Sequence, residues 1–498
     1  MTIKLVITPK TNMPILLTET EFQEFRGQLH KLFKHRADST MDLLDALCSN
    51  NHTPSVVQLS LNPLFRRGHS ALFKAIGESL SPETSDELEL ADNPLPEGEE
   101  FRILNLIAQV VPMPKEQPFF LLGMDCTSRE RAFAQTLKDR GMVHQSTTIK
   151  GNKPIAIGHS YSMLGILPER SDRDAPWTIP LDMSRVPTES NSTQIGLSQL
   201  DTVLNNPNLP WSNQLCVLVA DSAYGNKQFL TPLQEHKNLV VVARVRSNRV
   251  FYQSPVPDES PARKGHPIWY GERFDLKEPE TWPQPSEITP MSYQTRRGKT
   301  INLTITSWSN MLMLGSKDRP THNAPFTLLR IESFDESGLA IFRPMWLIVI
   351  GARRGEISPL QAYQSYRQRF DLEHFFRFEK QNLLLTAFQT PVVQHEQQWV
   401  YLVMLAYVQL WAAHFLAVAL PRPWEQHSYN IDPSPRITPS KVQQDWNRII
   451  SQLGSPAVPP QPRGKSSGRN LGQSQTPRPR HPVVKKGKSS NPPPQVAA

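Results

Sequence analysis

Three short apolar runs constrain the fold more than any other feature of the chain. They are PFFLLGM at 118–124, LCVLVA at 215–220 and LVVVARV at 239–245. Continuous apolar runs of this length predict strands that are buried on both faces, as in a parallel sheet covered by helices. The sequence therefore predicts an α/β fold with a buried central sheet.

Two of these runs are followed directly by an aspartate, Asp125 after the first and Asp221 after the second. A buried strand cannot take an unpaired charge into its core, and α/β sheets place functional groups where their strands end. Turns after strands also favour Asp because its side chain makes local hydrogen bonds. The two aspartates alone therefore leave both interpretations open.

A long helix predicted from about Ser358 to Leu385 supplies a third carboxylate. At about 100° per residue, one stripe of this helix, about 60° wide, carries only polar groups. These are Tyr366, Arg369, Glu373 and Lys380. A plain ion-pair row, with Arg369 and Glu373 four residues apart and contributing about 0.3–0.5 kcal/mol, is the alternative. Combined with the two strand-end aspartates, the stripe favours a functional site.

The spacing Tyr366-x2-Arg369-x3-Glu373-x6-Lys380 resembles the Tyr-Arg-Glu-Lys signature of a large group of bacterial insertion-sequence transposases of the DDE type. Asp125 in GMDCT and Asp221 in VADSAYGN are similar to the two aspartates of that family's catalytic triad. The resemblance covers about residues 102–420. It implies an RNase H-like catalytic domain with a β-rich insertion between the second Asp and the Glu.

The resemblance also implies the roles of these residues. Asp125, Asp221 and Glu373 would be catalytic and would hold two Mg²⁺ ions, for which Mn²⁺ can substitute. Carboxylate oxygens are the ligands that such hard cations prefer, and paired cations suit displacement at phosphorus. The residues expected to contact DNA phosphates are Tyr366, Arg369 and Lys380, with Arg244 and Arg246 beyond a strand of the same sheet as further candidates.

The net charge of +8 lies entirely in the last segment of the chain. Residues 451–498 contain eight Lys and Arg and no Asp or Glu, so residues 1–450 are balanced. Such a proline-rich basic segment predicts a disordered tail that contacts nucleic acid, although a solubilising tail is the alternative. An acidic stretch from Glu78 to Glu100 predicts an exposed linker that ends a basic helical module containing Arg26, Arg66 and Arg67. That module is compatible with DNA binding, and a solvated helix face has the same composition.

The predicted organisation has five parts. A helical N-terminal domain, with a DNA-binding role and the acidic linker at its end, spans 1–100. The RNase H-like core spans 101–246 and 344–450, the second part including the C-terminal helices; the β-rich insertion spans 247–343; and the disordered basic tail spans 451–498.

The predicted function is that of a DNA transposase, which cuts the ends of its insertion sequence and joins them to target DNA by phosphodiester hydrolysis and transesterification. Its partners would be double-stranded DNA and a second copy of the chain in the DNA complex. A non-catalytic DNA-binding protein derived from a transposase is the alternative. The apolar stretch Trp399–Leu420 is long enough to cross a bilayer, but Gln409 and His414 favour a buried core helix. No membrane partner and a bacterial cytoplasmic, nucleoid-associated location are therefore expected.

Overall fold

The computed structural model describes residues 17–80, 98–145, 154–171, 174–255, 268–295, 298–316, 320–419, 436–462, 472, 474 and 477–485. Its helices are α1 Glu19–Leu32, α2 Ala37–Cys48, α3 His69–Glu78, α4 Glu99–Ala108, α5 Ser192–Leu204, α6 Lys227–Leu230, α7 Pro359–Gln368, α8 Phe370–Gln381, α9 Val393–Ala412, α10 Leu416–Ala419 and α11 Pro439–Leu453. Most of the predicted acidic linker, residues 81–97, lies outside the described residues.

The strands are β1 Phe120–Glu130, β2 Gly141–His144, β3 Ile155–Ile166, β4 Ile179–Val186, β5 Cys216–Ala220, β6 Leu239–Val245, β7 Val250–Gln253, β8 Arg273–Asp275, β9 Glu287–Gln294, β10 Thr300–Leu312, β11 Phe326–Phe334 and β12 Met345–Ile350. They form one mixed sheet in the order β2-β3-β1-β5-β6-β12-β11-β10-β7-β8, with β4 paired to β3 and β9 paired to β10. The α/β class is confirmed.

The centre of the sheet consists of the three apolar runs seen in the sequence. β1, β5 and β6 are parallel neighbours, and every residue of β5 is buried. β3 runs antiparallel to β1 on one side, and β12 runs antiparallel to β6 on the other. The side chains of β5 are apolar throughout because helices or further chain cover both faces of the sheet at its centre.

The predicted β-rich insertion extends this sheet. β10 and β11 pair with each other, and β11 pairs with β12, so the strands of 247–343 continue the sheet outward from its centre. An aromatic cluster fixes them to the core: Trp282 and Trp346 have ring centroids 5.3 Å apart, and Trp308 lies 5.8 Å from Trp346. The guanidinium of Arg367 on α7 lies 5.0 Å from the Tyr293 ring on β9, which joins the insertion to the helix before α8.

Helix α9 is the centre of the helical half of the molecule. It packs against α2, α3, α8, α11 and β4, and its residues from Glu396 to Ala412 are buried. The predicted buried core helix is confirmed from Trp399 to Ala412. The stretch then turns and continues in the short helix α10, and Leu420 lies outside the described residues. None of the helices in the described ranges has the length and hydropathy required to cross a membrane.

A buried carboxylate on α9 ties this helix to the sheet. Glu396 accepts hydrogen bonds from Arg131 at 2.9 Å and Tyr161 at 3.0 Å, and it lies 3.0 Å from His159. Burial alone would raise the pKa of Glu396, but the neighbouring Arg129, His159 and Arg131 hold this pKa well below its usual range. The group is therefore a charged junction between β1, β3 and α9.

The N-terminal helices share this core, because α1 and α2 bury apolar faces in the same cluster as α9 and α11. The basic residues that suggested a DNA-binding face are paired with carboxylates. Arg26 donates two hydrogen bonds to Asp45, at 2.6 and 2.8 Å, and Arg66 and Arg67 contact Asp42. These pairs neutralise much of the basic face, so DNA binding by residues 1–100 stays a prediction.

Disorder throughout 451–498 is not confirmed. Helix α11 extends to Leu453, and the chain beyond it lies against the N-terminal helices. The guanidinium of Arg66 donates to the Ala457 carbonyl at 3.0 Å, and the Val458 amide donates to Asp38 at 3.0 Å. In both contacts a backbone group of the segment bonds to a charged side chain. Such hydrogen bonds do not depend on apolar residues, so the low hydrophobicity of the segment could not indicate them.

Residues 477–485 lie against the loop between β1 and β2. The His481 amide donates to the Gln135 carbonyl at 2.8 Å, and the Val484 amide donates to the Arg140 carbonyl at 2.8 Å. In return, the Arg140 guanidinium donates to the His481 carbonyl at 3.0 Å. Arg140 is buried and its other acceptors are also backbone carbonyls, so this part of the tail completes its hydrogen bonding. The other residues of 463–498, except 472 and 474, lie outside the described part of the chain.

Deletion of residues 477–498 should destabilise the folded protein. It removes hydrogen bonds that each contribute about 1 kcal/mol and leaves a buried guanidinium short of an acceptor, so we expect a loss of about 2–3 kcal/mol. Urea unfolding measures this loss in the free energy of unfolding. Deletion of 486–498 alone is the control, because it keeps all of these hydrogen bonds; equal losses in both proteins would contradict a stabilising role for 477–485.

Glu379 on α8 should make stability depend on pH. Its side chain is fully buried, neither carboxylate oxygen has a hydrogen-bond partner among the described residues, and burial raises its pKa well above the usual value. The folded protein therefore keeps this proton at pH values where the unfolded chain, with a pKa of about 4.3, has lost it. The stability contributed is complete below that unfolded value and is lost as the pH rises toward the folded pKa.

Glu379→Gln should consequently unfold at higher urea than the parent at pH 8, with the difference shrinking toward pH 4. Glu379→Met, which also removes the buried polar atoms, should add about 1–3 kcal/mol at neutral pH. The exposed Glu235→Gln serves as the control. A difference between Glu379→Gln and the parent that is the same at pH 4 and pH 8 would show that Glu379 does not keep a proton in the fold.

Candidate active site

The two aspartates lie side by side because of the parallel register of β1 and β5. Met124 pairs with Ala220, so Asp125 and Asp221 follow at the same level. The sequence placed Asp125 after the end of its strand, and that detail is wrong: β1 continues to Glu130 because it remains paired with β3 after β5 has ended. Asp125 therefore lies within β1, at the level where the neighbouring parallel strand β5 has ended.

The turn after β5 is shaped by its glycine. The Asp221 carboxylate accepts a hydrogen bond from the Ala223 amide at 2.8 Å. A Cβ on Gly225 would lie 2.3 Å from the carbonyl oxygen of Arg244 on β6, so only glycine permits this close approach. Asn226 then caps α6 by accepting from the Phe229 amide. The VADSAYGN segment therefore holds Asp221 against the ends of two strands.

The predicted long helix is interrupted at Arg369. α7 begins with a capping box formed by Ser358 and Gln361, with Pro359 in the first turn, and it ends at Gln368. The Arg369 amide bonds to the Tyr366 carbonyl at 3.2 Å, three residues back, and α8 begins at Phe370. The backbone of Arg369 remains helical, with φ −49° and ψ −27°, so α8 continues from α7 with a locally tightened turn.

Arg369 joins two of the three predicted catalytic carboxylates. One guanidinium nitrogen lies 2.7 Å from an Asp125 oxygen, and another lies 3.3 Å from an oxygen of Glu373. The Arg369 side chain is 15% exposed and that of Glu373 is 43% exposed, so the bridge extends from the buried edge of the sheet to the surface. Asp125, Glu373 and Arg369 are therefore brought together across nearly 250 residues of chain.

The neighbours of Asp125 have opposing effects on its pKa. Burial raises the pKa of the Asp125 carboxyl, the guanidinium of Arg369 and the Cys126 amide lower it, and the charge of Asp221 raises it again. For Arg369, burial lowers the pKa, but Asp125, Tyr366, Asp221 and Glu373 more than compensate and raise it. The guanidinium is thus the counter-ion of the whole carboxylate group.

Two more predicted residues lie beside this group. Tyr366 is buried, and its ring centroid lies 5.8 Å from the Arg369 guanidinium. Burial raises the pKa of Tyr366, whereas Arg369 and Arg244 lower it, which places both arginines near the phenol. Arg244 is exposed and follows Ala243, which pairs with Ala220, so it stands in the same row as Asp221.

Lys380 and Arg246 do not join the group. Lys380 is partly buried; burial lowers its pKa, and the charges of Glu379 and Glu130 oppose that effect. Glu130 is the last residue of β1, so Lys380 lies toward the far end of that strand from Asp125. Arg246 is exposed just beyond the end of β6.

Carboxylates are suitable ligands for a divalent cation, but the three predicted carboxylates do not converge on a single point. In the part of the chain that the structure describes, no three His, Cys, Asp or Glu side chains lie close enough together to hold a metal ion. Asp125 and Asp221 are neighbours, but the guanidinium of Arg369 lies between Asp125 and Glu373. Oxygen ligands for Mg²⁺ are therefore present, and Arg369 occupies part of the space among them.

A cavity of about 990 Å³ lies elsewhere in the molecule. It is lined by residues of β4, α5 and α9, among them Asp182, Gln199 and Tyr401, and by Arg478 of the tail. None of the predicted site residues lines it. The carboxylates instead lie where the parallel pairing of the central strands ends, outside this cavity.

Two contacts that support the site were missed in the sequence. Arg170, after β3, donates two hydrogen bonds of 2.7 Å to Asp371 and so anchors the first turn of α8. The Tyr224 hydroxyl lies 3.3 Å from the Cys126 sulfur beneath the row of aspartates, and burial raises the pKa of Cys126 to about 11. The first pair joins distant segments and has no local signal, whereas Tyr224 could have been suspected from its place in the VADSAYGN turn.

Comparison with known proteins identifies the family of the chain. Residues 28–311 match the family described as DDE superfamily endonuclease, which is more than half of the chain and includes Asp125 and Asp221. The match ends before Glu373, so the third carboxylate rests on geometry. The comparison with curated proteins found no match. On the strength of the family match, the chain belongs to the DDE superfamily endonucleases.

Proposed function

We propose that this DDE superfamily endonuclease is a DNA transposase of the group with the Tyr-Arg-Glu-Lys signature, which cuts the ends of its own insertion sequence and joins them to target DNA. The observation that carries the proposal is the Arg369 bridge, which brings Glu373 of the signature helix to Asp125 on the central strand. A surface ion-pair row would not reach the strand-end aspartates.

The mixed central sheet, with the aspartates on neighbouring parallel strands, supports an RNase H-like core. Asp125, Asp221 and Glu373 would hold two Mg²⁺ ions, or Mn²⁺ in their place. Bound there, the cations supply Lewis-acid activation of the attacking and leaving oxygens at phosphorus. The carboxylates hold that charge at one edge of the sheet, where water or a 3′-hydroxyl can approach from the open side. Cutting two element ends together favours a homodimer in the DNA complex.

The cations around this edge support DNA as the substrate. Arg244 is exposed and Arg369 is partly exposed, and both lie near Tyr366. A guanidinium matches the geometry of a phosphate through paired hydrogen bonds. We assign Arg244, Arg369 and Tyr366 to the DNA phosphates nearest the cut, with Lys380 and Arg246 further along the backbone.

Asp125→Asn, Asp221→Asn and Glu373→Gln should each abolish Mg²⁺-dependent cleavage and leave DNA binding largely intact. Each change keeps the side-chain shape and removes one charged oxygen ligand. The assay is cleavage in vitro of DNA that carries the sequences flanking the gene, with binding measured on the same DNA. Glu235→Gln, an exposed carboxylate away from the site, is the control. Normal cleavage by any of the three variants would remove that residue from the site. DNA binding without cleavage by the unaltered protein would favour a non-catalytic DNA-binding role.

Arg244→Gln should weaken DNA binding for all sequences and reduce the slope of log affinity against log salt by about 1, because one phosphate contact is lost. Arg353→Gln is a matched control: it removes the same charge, but Arg353 is paired with Glu356 and follows β12 at the opposite end of the strands. Equal effects of the two changes would show that bulk charge, rather than a phosphate contact at Arg244, is responsible.

A further inference from the structure

The Arg369 guanidinium contacts carboxylate oxygens that a metal ion would need as ligands. It occupies one oxygen of Asp125 at 2.7 Å and approaches one oxygen of Glu373 at 3.3 Å. No three potential ligand side chains in the described ranges come together into a metal-holding group. The folded chain thus balances its carboxylates with its own cation.

We propose that Arg369 is a gate: it occupies the carboxylate site when DNA is absent, and a DNA phosphate draws it away so that a divalent cation can bind. This inference rests on the proposed function, since it assumes that the three carboxylates bind a metal. It assigns Arg369 a positioning role beyond phosphate contact, namely coupling of metal affinity to DNA binding.

The charges around Arg369 support this exchange. A guanidinium and a divalent cation repel each other and compete for the same oxygen of Asp125. A phosphate offers the guanidinium a bidentate partner of the same geometry as a carboxylate. The Arg369 side chain is 15% exposed and Glu373 is 43% exposed, so a phosphate can reach this side of the bridge from solvent.

Arg369 lies at the junction of two helices that have other contacts to hold them. Arg369 stands between α7 and α8, and its own amide bonds three residues back rather than four. Tyr366 supports the guanidinium from below at 5.8 Å. Asp371 is anchored separately by Arg170, so α8 keeps its place when the Arg369 contact is released.

Reciprocal linkage follows from the competition. If DNA releases the gate, DNA raises the affinity for the cation, and the cation raises the affinity for DNA by the same factor. Removal of the guanidinium should have opposite effects on the two ligands: tighter metal binding without DNA, and weaker DNA binding.

The test measures Mn²⁺ binding by the full-length protein, by electron paramagnetic resonance and calorimetry, with and without a short DNA duplex. We expect Arg369→Gln to bind Mn²⁺ on the order of tenfold more tightly than the parent without DNA. Arg369→Lys keeps the charge but loses the paired donors of the guanidinium, so its Mn²⁺ affinity should lie between those of the parent and Arg369→Gln. The duplex should tighten Mn²⁺ binding to the parent much more than to Arg369→Gln.

The matched control is Arg377→Gln, which removes an equal charge from an exposed position one turn beyond Glu373 on α8. It should change Mn²⁺ affinity far less than Arg369→Gln. Equal effects of the two changes, or an Arg369→Gln protein that binds Mn²⁺ no more tightly than the parent, overturn the gate.

Asp221→Asn distinguishes the gate from the function on which it rests. Mn²⁺ binding that requires Asp221 but ignores Arg369 refutes only the gate. Mn²⁺ binding to Arg369→Gln that ignores Asp221 lies outside the carboxylate group and refutes the proposed metal site together with the gate.

Discussion

The parallel register of β1, β5 and β6 is the constraint on which the site depends. It places Asp125, Asp221 and Arg244 in one row, because Met124, Ala220 and Ala243 pair at the preceding level. A shift of a single residue in any of these strands would turn its polar side chain to the other face of the sheet. The apolar residues of the strands hold the register, so the core and the site are determined by the same pairing.

Helix α8 brings the third carboxylate to this row, and its position depends on charge pairs rather than apolar contacts alone. Arg170 holds Asp371, and Arg369 holds both Asp125 and Glu373. Like charges gathered at one edge would repel each other, and the guanidinium of Arg369 offsets that repulsion. The guanidinium of Arg369 is therefore part of what allows the carboxylates to lie close to one another.

Periodicity and strand-end position were enough to predict that several of these residues lie together. The apolar runs identified the central strands, and the polar stripe identified Tyr366, Arg369 and Glu373 as one face. The continuation of β1 past Asp125 was not predictable, because it depends on pairing with β3, whose partner residues lie far along the chain. Lys380 shows the limit of a helical projection: it shares the face with Glu373 but lies beside Glu130 at the other end of β1.

Charge composition misled in a different way. Arg26 pairs with Asp45, and Arg66 and Arg67 pair with Asp42. The balanced net charge of residues 1–450 does not reveal these pairs, because a net charge counts the groups and carries no information on the distances between them. The tail likewise showed its basic composition and not the backbone hydrogen bonds of His481 and Val484.

The helical core has a consequence for how the chain folds. Helix α1 is completed by residues that are synthesised much later: Arg26 donates to Gln409, and Gln23 donates to the Leu453 carbonyl. Closing contacts over such separations is slow, since the loop entropy is lost before the contact forms. A nascent or truncated chain that lacks α9 leaves the apolar faces of α1 and α2 uncovered, so it is a target for chaperones and proteases rather than a partial nuclease. Because these contacts reach Leu453, the helical core can close only after α11 has been synthesised.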